Sequence, residues 1–267
     1  MKLSAYVPCH NNAATLKSAV LSLLAQSVPI DDLFILDDGS TDGSGALADT
    51  LQVRVIHHPQ NFGRGAARSR AMNEAKHELV LCCDATNVLP ADYLQQALPW
   101  FNDAKVAAVY GRITQTDNSG VAQRWRGRHL YQMNEPAQIT HKAKLATYGA
   151  VMRKSAVMAV GNFDPSLRHS EDAELGNRLL ASGYDVVWDP KLPVISIEQN
   201  TMFEVLERYW RWNTAKHGPI GLRAYAKTIV FSFKVLARKD LRAGDPFSAF
   251  ISLFSPHYQF WKSRLTR

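Results

Sequence analysis

Over the first two thirds of the 267-residue chain, short apolar runs alternate with stretches whose apolar residues recur every three or four positions. The runs 3–7 (LSAYV), 33–37 (LFILD), 53–57 (VRVIH), 79–84 (LVLCCD) and 106–113 (VAAVYGRI) are short, apolar and rich in β-branched or aromatic residues, and they predict strands. Between them, Leu16, Val20, Leu23 and Leu24 follow helical spacing, and Ala67, Ala71 and Ala75 form a small-residue face. Strand and helix in alternation predict an α/β fold, a mostly parallel sheet flanked by helices. Such sheets bind ligands in the loops beyond the carboxyl ends of their strands. Here those loops read VPCHNN, DDGSTDGS, NFGRGAARSR and DATNVLP.

From about 115 to 145 the pattern weakens into a polar, basic segment, expected as a long loop or short helices beside a substrate cleft. Helix returns over Ser170–Ala181, with Ser170 as N-cap, Glu171 and Asp172 in the first turn and Gly183 past the end. The last part predicts an amphipathic helical extension. Leu222, Tyr225, Ala226, Ile229, Val230 and Phe233 form one stripe. A second short helix carries Phe247, Phe250, Ile251 and Phe254 on one face and is expected to stop at Pro256. The expected division is 1–200 (halves about 1–115 and 116–200) and a basic, aromatic-rich extension, 201–267.

A hydrophobic content of 46% at this length supports a sizeable core. The three cysteines include an adjacent pair and no CxxC spacing, which argues against a disulfide framework or zinc site and fits a reducing, cytoplasmic compartment. No stretch approaches a membrane span and MKLSAYVPCH lacks a signal-peptide pattern, so a secreted or transmembrane protein is not expected. Charge is uneven. Residues 206–267 hold twelve Lys and Arg against three Asp and Glu, a net of +9 in a chain of +7, so residues 1–205 carry −2. The same 62 residues hold twelve of the 26 aromatics. This combination suits an anionic membrane surface better than a nucleic-acid groove, and it predicts peripheral attachment at the inner face of a membrane with no nucleic-acid partner. Packing of the stripe onto the main domain is the alternative.

Taken by itself, DDGSTDGS serves equally as a polar grip on a ligand or as a tight turn. NFGRGAAR is not a dinucleotide fingerprint, because Arg68 follows where a third Gly or Ala is required. Arg64, Arg68 and Arg70 open a helix and could meet an anion, although a solvated face is the usual fate of such residues. Asp84, alone at the end of an apolar run, looks like a carboxylate delivered to a site.

In order and spacing, VPCHNN, DDGSTDGS, NFGRGAARSR, CCDATNVLP, GNFDPSL and HSEDAELGNRLL resemble the family 2 glycosyltransferases over about residues 3–190. The resemblance implies a GT-A, Rossmann-like fold. It implies that Pro8 and the loop to Asn12 line a nucleobase pocket, that Asp38 bonds the base, that Arg68 is the arginine of the ARN element, and that Asp84 is the first Asp of DxD. The family's second DxD carboxylate, a ligand of Mn²⁺ or Mg²⁺, is replaced by Thr86, a weak neutral ligand. That leaves three readings: a cation held by Asp84 and the donor's phosphates, a metal-independent site with cationic side chains, or an inactive descendant.

By the same resemblance Asp172 is the catalytic base with Glu171 beside it, although two acids at a helix start also complement its dipole. RYWRW resembles the QxxRW element with Arg208 for Gln; Arg211 and Trp212 match, as a cation for the leaving diphosphate and a sugar-facing ring. His217 stands where related enzymes carry a metal or diphosphate histidine. The implied activity is inverting transfer from a nucleotide-sugar, UDP-linked, to a glycan or lipid-linked acceptor hydroxyl in bacterial surface-glycan assembly. The competing reading is a non-catalytic nucleotide-sugar-binding protein or a scaffold protein of a glycan assembly complex.

Overall fold

The computed structural model describes residues 2–213 and 218–265. Its first apolar run forms β1 (Leu3–Cys9), whose Leu3, Ala5 and Val7 face one layer of the core while Tyr6 faces the other, as strand pleating requires. The strands β2 (Asp32–Asp37), β3 (Arg54–His57) and β4 (Leu79–Cys82) join it in parallel, giving the order β3-β2-β1-β4. Beyond β4 the sheet continues with β7 (Ala150–Arg153), β6 (Val106–Gln115), β8 (Asp185–Ser196) and the two-residue β5 (Asn87–Val88). Here β4 with β7, β6 with β7 and β5 with β8 are antiparallel, so the sheet is parallel in one half and antiparallel in the other. β5, β7 and β8 are additions to the predicted strands, β5 lying in the segment read from sequence as the DATNVLP loop. β7 is only four residues long, and Pro190 and Pro193, residues that usually confine a run to a sheet edge, obscure β8 in the sequence.

Helices cover both faces. On one, α1 (Leu16–Leu24) buries Leu16, Val20 and Leu23, with Leu24 turned to solvent; the short α2 (Ser44–Asp49) and α4 (Tyr93–Ala97) complete that layer. On the other, α3 (Arg64–Glu74) buries Ala67, Ala71 and Met72, and α6 (Lys154–Ala159) and α7 (Glu171–Ala181) pack beside it. The alanine face lets α3 approach closely. Its entry is tighter still: a Cβ on Gly65 would stand 2.1 Å from the Asp164 carbonyl oxygen, so the glycine of NFGRG serves the packing of α3 on the GNFDPSL turn.

The chain forms two compact units, residues up to 114 with 136–198, and 115–135 with 199 onward. The sequence-based boundary at 200 falls beside the second break. The segment 115–135, assigned from sequence to the acceptor half, instead packs with the C-terminal helices, because its α5 (Val121–His129) supplies their core. Trp125 and Ala122 cluster with Val205 and Leu206 of α8 (Met202–Asn213) and Ile251 of α11 (Pro246–Leu265). Arg128 and His129 donate to the fully buried Asp240 in α10 (Arg238–Arg242), which also accepts from the Ser252 hydroxyl.

The expected stop at Pro256 does not occur: α11 runs through it to Leu265. Proline removes the N–H that would reach the carbonyl four residues earlier, that of Ser252. In its place the hydroxyl of Ser232 donates to that carbonyl, from a π-type turn (Ser232–Ala237) continuing α9 (Leu222–Phe231). The freed acceptor is thereby satisfied and the helix persists.

Candidate active site

Two loops at the carboxyl ends of β1 and β2 are stitched together by their small polar residues. The Asn11 amide donates to Ser40 Oγ (3.0 Å) and its side-chain oxygen accepts from the Thr41 amide (2.8 Å). The Asn12 amide donates to Ser44 Oγ (2.8 Å). Asn11 and Gly39 both adopt positive φ, and a Cβ on Gly39 would lie 2.4 Å from the backbone of Gln60. Pro8 and Asn12, both half-buried, frame this rim. Asp38 is buried. One carboxylate oxygen accepts from His58 Nδ1 (2.7 Å) and the Phe62 amide (3.0 Å), and the other accepts from the Gly63 amide (2.8 Å). Its carboxylate thus binds the 58–63 loop, a clamp that the adjacent pair His57-His58 did not suggest.

Arg68 is the centre of the arrangement. It is 3% exposed, donates to Glu171 at the start of α7, and with its other terminal nitrogen reaches Asp84 Oδ1 at 2.8 Å. Burial opposes its charge, but Glu171 and Asp84 beside it outweigh that and hold it firmly protonated. One side chain therefore ties α3, the end of β4 and the first turn of α7 together. Arg64 and Arg70 are exposed, the latter paired with Glu74 along the helix, which is the solvated face anticipated for them.

Asp172 follows Glu171 and is half-buried, with the Ala173 amide on its carboxylate at 2.8 Å. Burial and then the neighbouring Glu171 push its carboxyl above the ordinary range, and Arg68 only partly offsets them. Ser170, expected to cap α7, has φ 64° and makes no side-chain cap; its carbonyl accepts the Glu174 amide instead. A non-glycine residue in the left-handed region immediately before two acids is strain held at a candidate site. Burial raises the Cys9 thiol to about 11 and Cys82 to about 12, so neither is a nucleophile near neutrality.

After Asp84 the chain turns, the Asn87 amide donating to the Asp84 carbonyl, and enters β5; Thr86 is half-buried and its carbonyl accepts the Ile197 amide. Among the described residues no group of three or more His, Cys, Asp or Glu is arranged to hold a metal. The DxD region offers a single carboxylate, that of Asp84, which fits a hard cation arriving with a diphosphate rather than a dedicated protein cage. Arg211 and Trp212 lie at the end of α8 in the second unit, where Trp212 is exposed and its ring lies 6.5 Å from that of Tyr131. His217 falls outside the described residues. Arg168, which was not singled out from the sequence, is exposed against Gly63 and donates to Asn61.

A sheet carrying polar loops at its carboxyl edge, with acids gathered around one buried arginine, is the GT-A architecture of nucleotide-sugar enzymes. The glycosyl transferase family 2 model matches residues 4–166, and the chain belongs to that family. It is 28% identical over 239 residues to the pre-mycofactocin glycosyltransferase of Mycobacterium tuberculosis, covering 83% of this chain and 48% of that protein. It is 27% identical over 224 residues to the succinoglycan biosynthesis protein ExoA of Rhizobium meliloti, covering 79% and 67%. The chain thus spans about half the length of the mycobacterial relative. Two solved structures share the fold at a TM-score of 0.61: the mannosyltransferase PcManGT of Pyrobaculum calidifontis with GDP-Man and Mn²⁺ (16% identity, 99% of this chain, 73% of that one) and S. aureus TarS with UDP-GlcNAc (18%, 100% and 74%).

Proposed function

We propose that this chain transfers a sugar from a UDP-linked donor to a hydroxyl of a glycan or lipid-linked acceptor in surface-glycan assembly, inverting the anomeric centre. The observation that carries the reading is Asp172, a carboxyl raised by burial and tied through Glu171 and Arg68 to Asp84. Asp172 takes the proton of the acceptor hydroxyl as that oxygen bonds to the anomeric carbon. The bond from that carbon to the diphosphate breaks on the opposite side, and the nucleoside diphosphate leaves with the electron pair. A raised carboxyl pKa brings the base closer to working pH. Arg68 holds Asp84 and the α7 turn in register, and Pro8, Asn12 and Asp38 shape the nucleotide rim. A divalent cation, where used, would be held by the Asp84 carboxylate together with the donor's phosphates and would supply charge neutralisation at the diphosphate. Support comes from the family, from relatives named for glycan synthesis, and from the nucleotide-sugar complexes of proteins sharing the fold.

Asp172→Asn is expected to lower transfer by about 10²- to 10⁴-fold, the usual share of a general base. UDP binding by titration calorimetry should be unchanged. Full activity in that variant would remove Asp172 from the mechanism. Thr86 favours a second reading, a non-catalytic nucleotide-sugar-binding or scaffold protein; a transfer assay separates the binding protein from the enzyme, and UDP titration in EDTA and in Mn²⁺ separates the scaffold. Binding that strengthens with Mn²⁺ fits the transferase with a cation; metal-indifferent binding fits cationic neutralisation; no binding of UDP or GDP fits the scaffold.

A further inference from the structure

Helices α9 to α11 are packed with their polarity reversed. In a water-exposed helical pair, large apolar side chains line the seam and polar ones face outward. Here the seam between the α9–α10 arm and α11 holds the buried Ser232, Asp240 and Ser252 joined by hydrogen bonds, with Leu236, Ala237 and the Tyr225–Phe260 stack as its apolar part. The outer faces carry Leu222 (74% exposed), Phe233 (67%), Phe247 (70%) and Phe250 (63%). Small and hydroxyl-bearing residues between helices, with large apolar residues outside, is the arrangement of helices packed in lipid. No described helix is long and apolar enough to cross a membrane. Charge supplies the second argument. Residues 222–242 hold six Lys and Arg against one acid, Asp240, which is buried and bonded to Arg128. On the outer face a groove of about 420 Å³ runs along Ala226, Val230, Phe231 and Val235, with Lys227 and Lys234 also in its lining.

We propose that the α9–α11 hairpin is a monotopic anchor that seats on a bilayer surface rich in anionic headgroups. Its outer phenylalanines enter the acyl boundary, and Lys227 and Lys234 meet the phosphates. Apolar depth and a basic flank together are what stable interfacial binding requires. The inference does not rest on the transferase reading, because the measurement involves no sugar.

The test is flotation of the full chain with vesicles of phosphatidylcholine, alone or mixed with phosphatidylglycerol. The chain should float with the mixed vesicles and bind about tenfold or more weakly to phosphatidylcholine alone or at high salt. Phe233→Glu/Phe250→Glu should abolish flotation with an unchanged circular dichroism spectrum. Lys227→Glu/Lys234→Glu, which leaves the apolar faces intact, should lose the preference for phosphatidylglycerol and serves if the first variant unfolds. Absence of native flotation, or equal flotation of a folded Phe233→Glu/Phe250→Glu variant, overturns the proposal. So does a concentration-dependent oligomer that forms through these phenylalanines without vesicle binding, which would make the occupant a second copy of the chain.

Discussion

Replacing Arg68 by Met isolates the energetic role of the buried cluster. The guanidinium bridges Glu171, which is 2% exposed, and Asp84, which is partly open to solvent. Its removal strands Glu171 as a buried charge without its counter-ion, a change that costs about 3–5 kcal/mol in comparable sites. At about 2–4 °C per kcal/mol for chains near this size, the midpoint should fall by roughly 6–20 °C. Glu171→Gln alone should cost less, about 1–3 kcal/mol, because Arg68 keeps Asp84 as a partner. The double variant should be markedly more stable than the sum of the two losses, with a coupling of about 0.5–3 kcal/mol, since the fully buried acid is gone and the partnerless Asp84 is partly open to water. Urea denaturation followed by circular dichroism measures all four corners of the cycle. Additivity within about 0.5 kcal/mol, or a loss below about 1 kcal/mol for Arg68→Met, would show that the three side chains do not act as a unit.

Asp172→Asn should also change stability with a defined pH dependence. A carboxyl raised in the fold favours the folded state below its ordinary pKa and loses that contribution as pH rises through the folded value, so at pH 7 its ionisation is a cost. The variant should therefore melt above the native protein at pH 7, with the difference shrinking towards pH 4; a variant less stable at pH 7 would contradict the burial argument. Ser232→Ala should cost about 1–3 kcal/mol by orphaning the Ser252 carbonyl, and adding Pro256→Ala should recover most of it by restoring the missing N–H, both read from denaturant midpoints. Thr86→Asp should make UDP affinity depend more steeply on Mn²⁺ in calorimetry by adding a second carboxylate beside Asp84; an unchanged metal response would place the 86 side chain away from the diphosphate.

Much of the site was legible because its residues are local. Each of VPCHNN, DDGS and DATN follows a parallel strand, which delivers them to one edge; the acids that open α7 follow α6 and a loop instead, and were legible only through the helix-start pattern and their place in the order of motifs. What the motifs do within the fold was less legible. Asp38 reads as a ligand group in sequence, yet its oxygens are engaged by His58 and two loop amides from a different strand end. The glycines of NFGRG fail in sequence as a dinucleotide fingerprint without revealing their own purpose, and in the fold Gly65 answers to the Asp164 carbonyl about a hundred positions away. Long-range partners of this kind leave no local signature. The antiparallel half of the sheet was hidden for a similar reason: β7 is too short to show a period, and β8 is interrupted by prolines whose effect depends on which neighbour needs the missing N–H.

The C-terminal helices show the limit of periodicity itself. A period of 3.6 residues establishes that a helix has two unlike faces, but it does not say which face is inside. In α1 and α3 the apolar stripe is the buried one, because a sheet stands ready to receive it. In α9 the stripe from Leu222 to Phe233 is the exposed one, because the seam with α11 is occupied by Ser232, Leu236 and Ala237 on one side and a row of serines on the other. The serines are not incidental to that choice. Ser232 stands in for the N–H that Pro256 lacks, and Ser252 joins Trp125 Nε1 to Asp240, so hydroxyls at these positions meet backbone and charge needs that leucines would leave unanswered. Once the seam is committed to small polar residues, the phenylalanines have only the outer face, and the hairpin is left with an apolar surface that water alone does not favour.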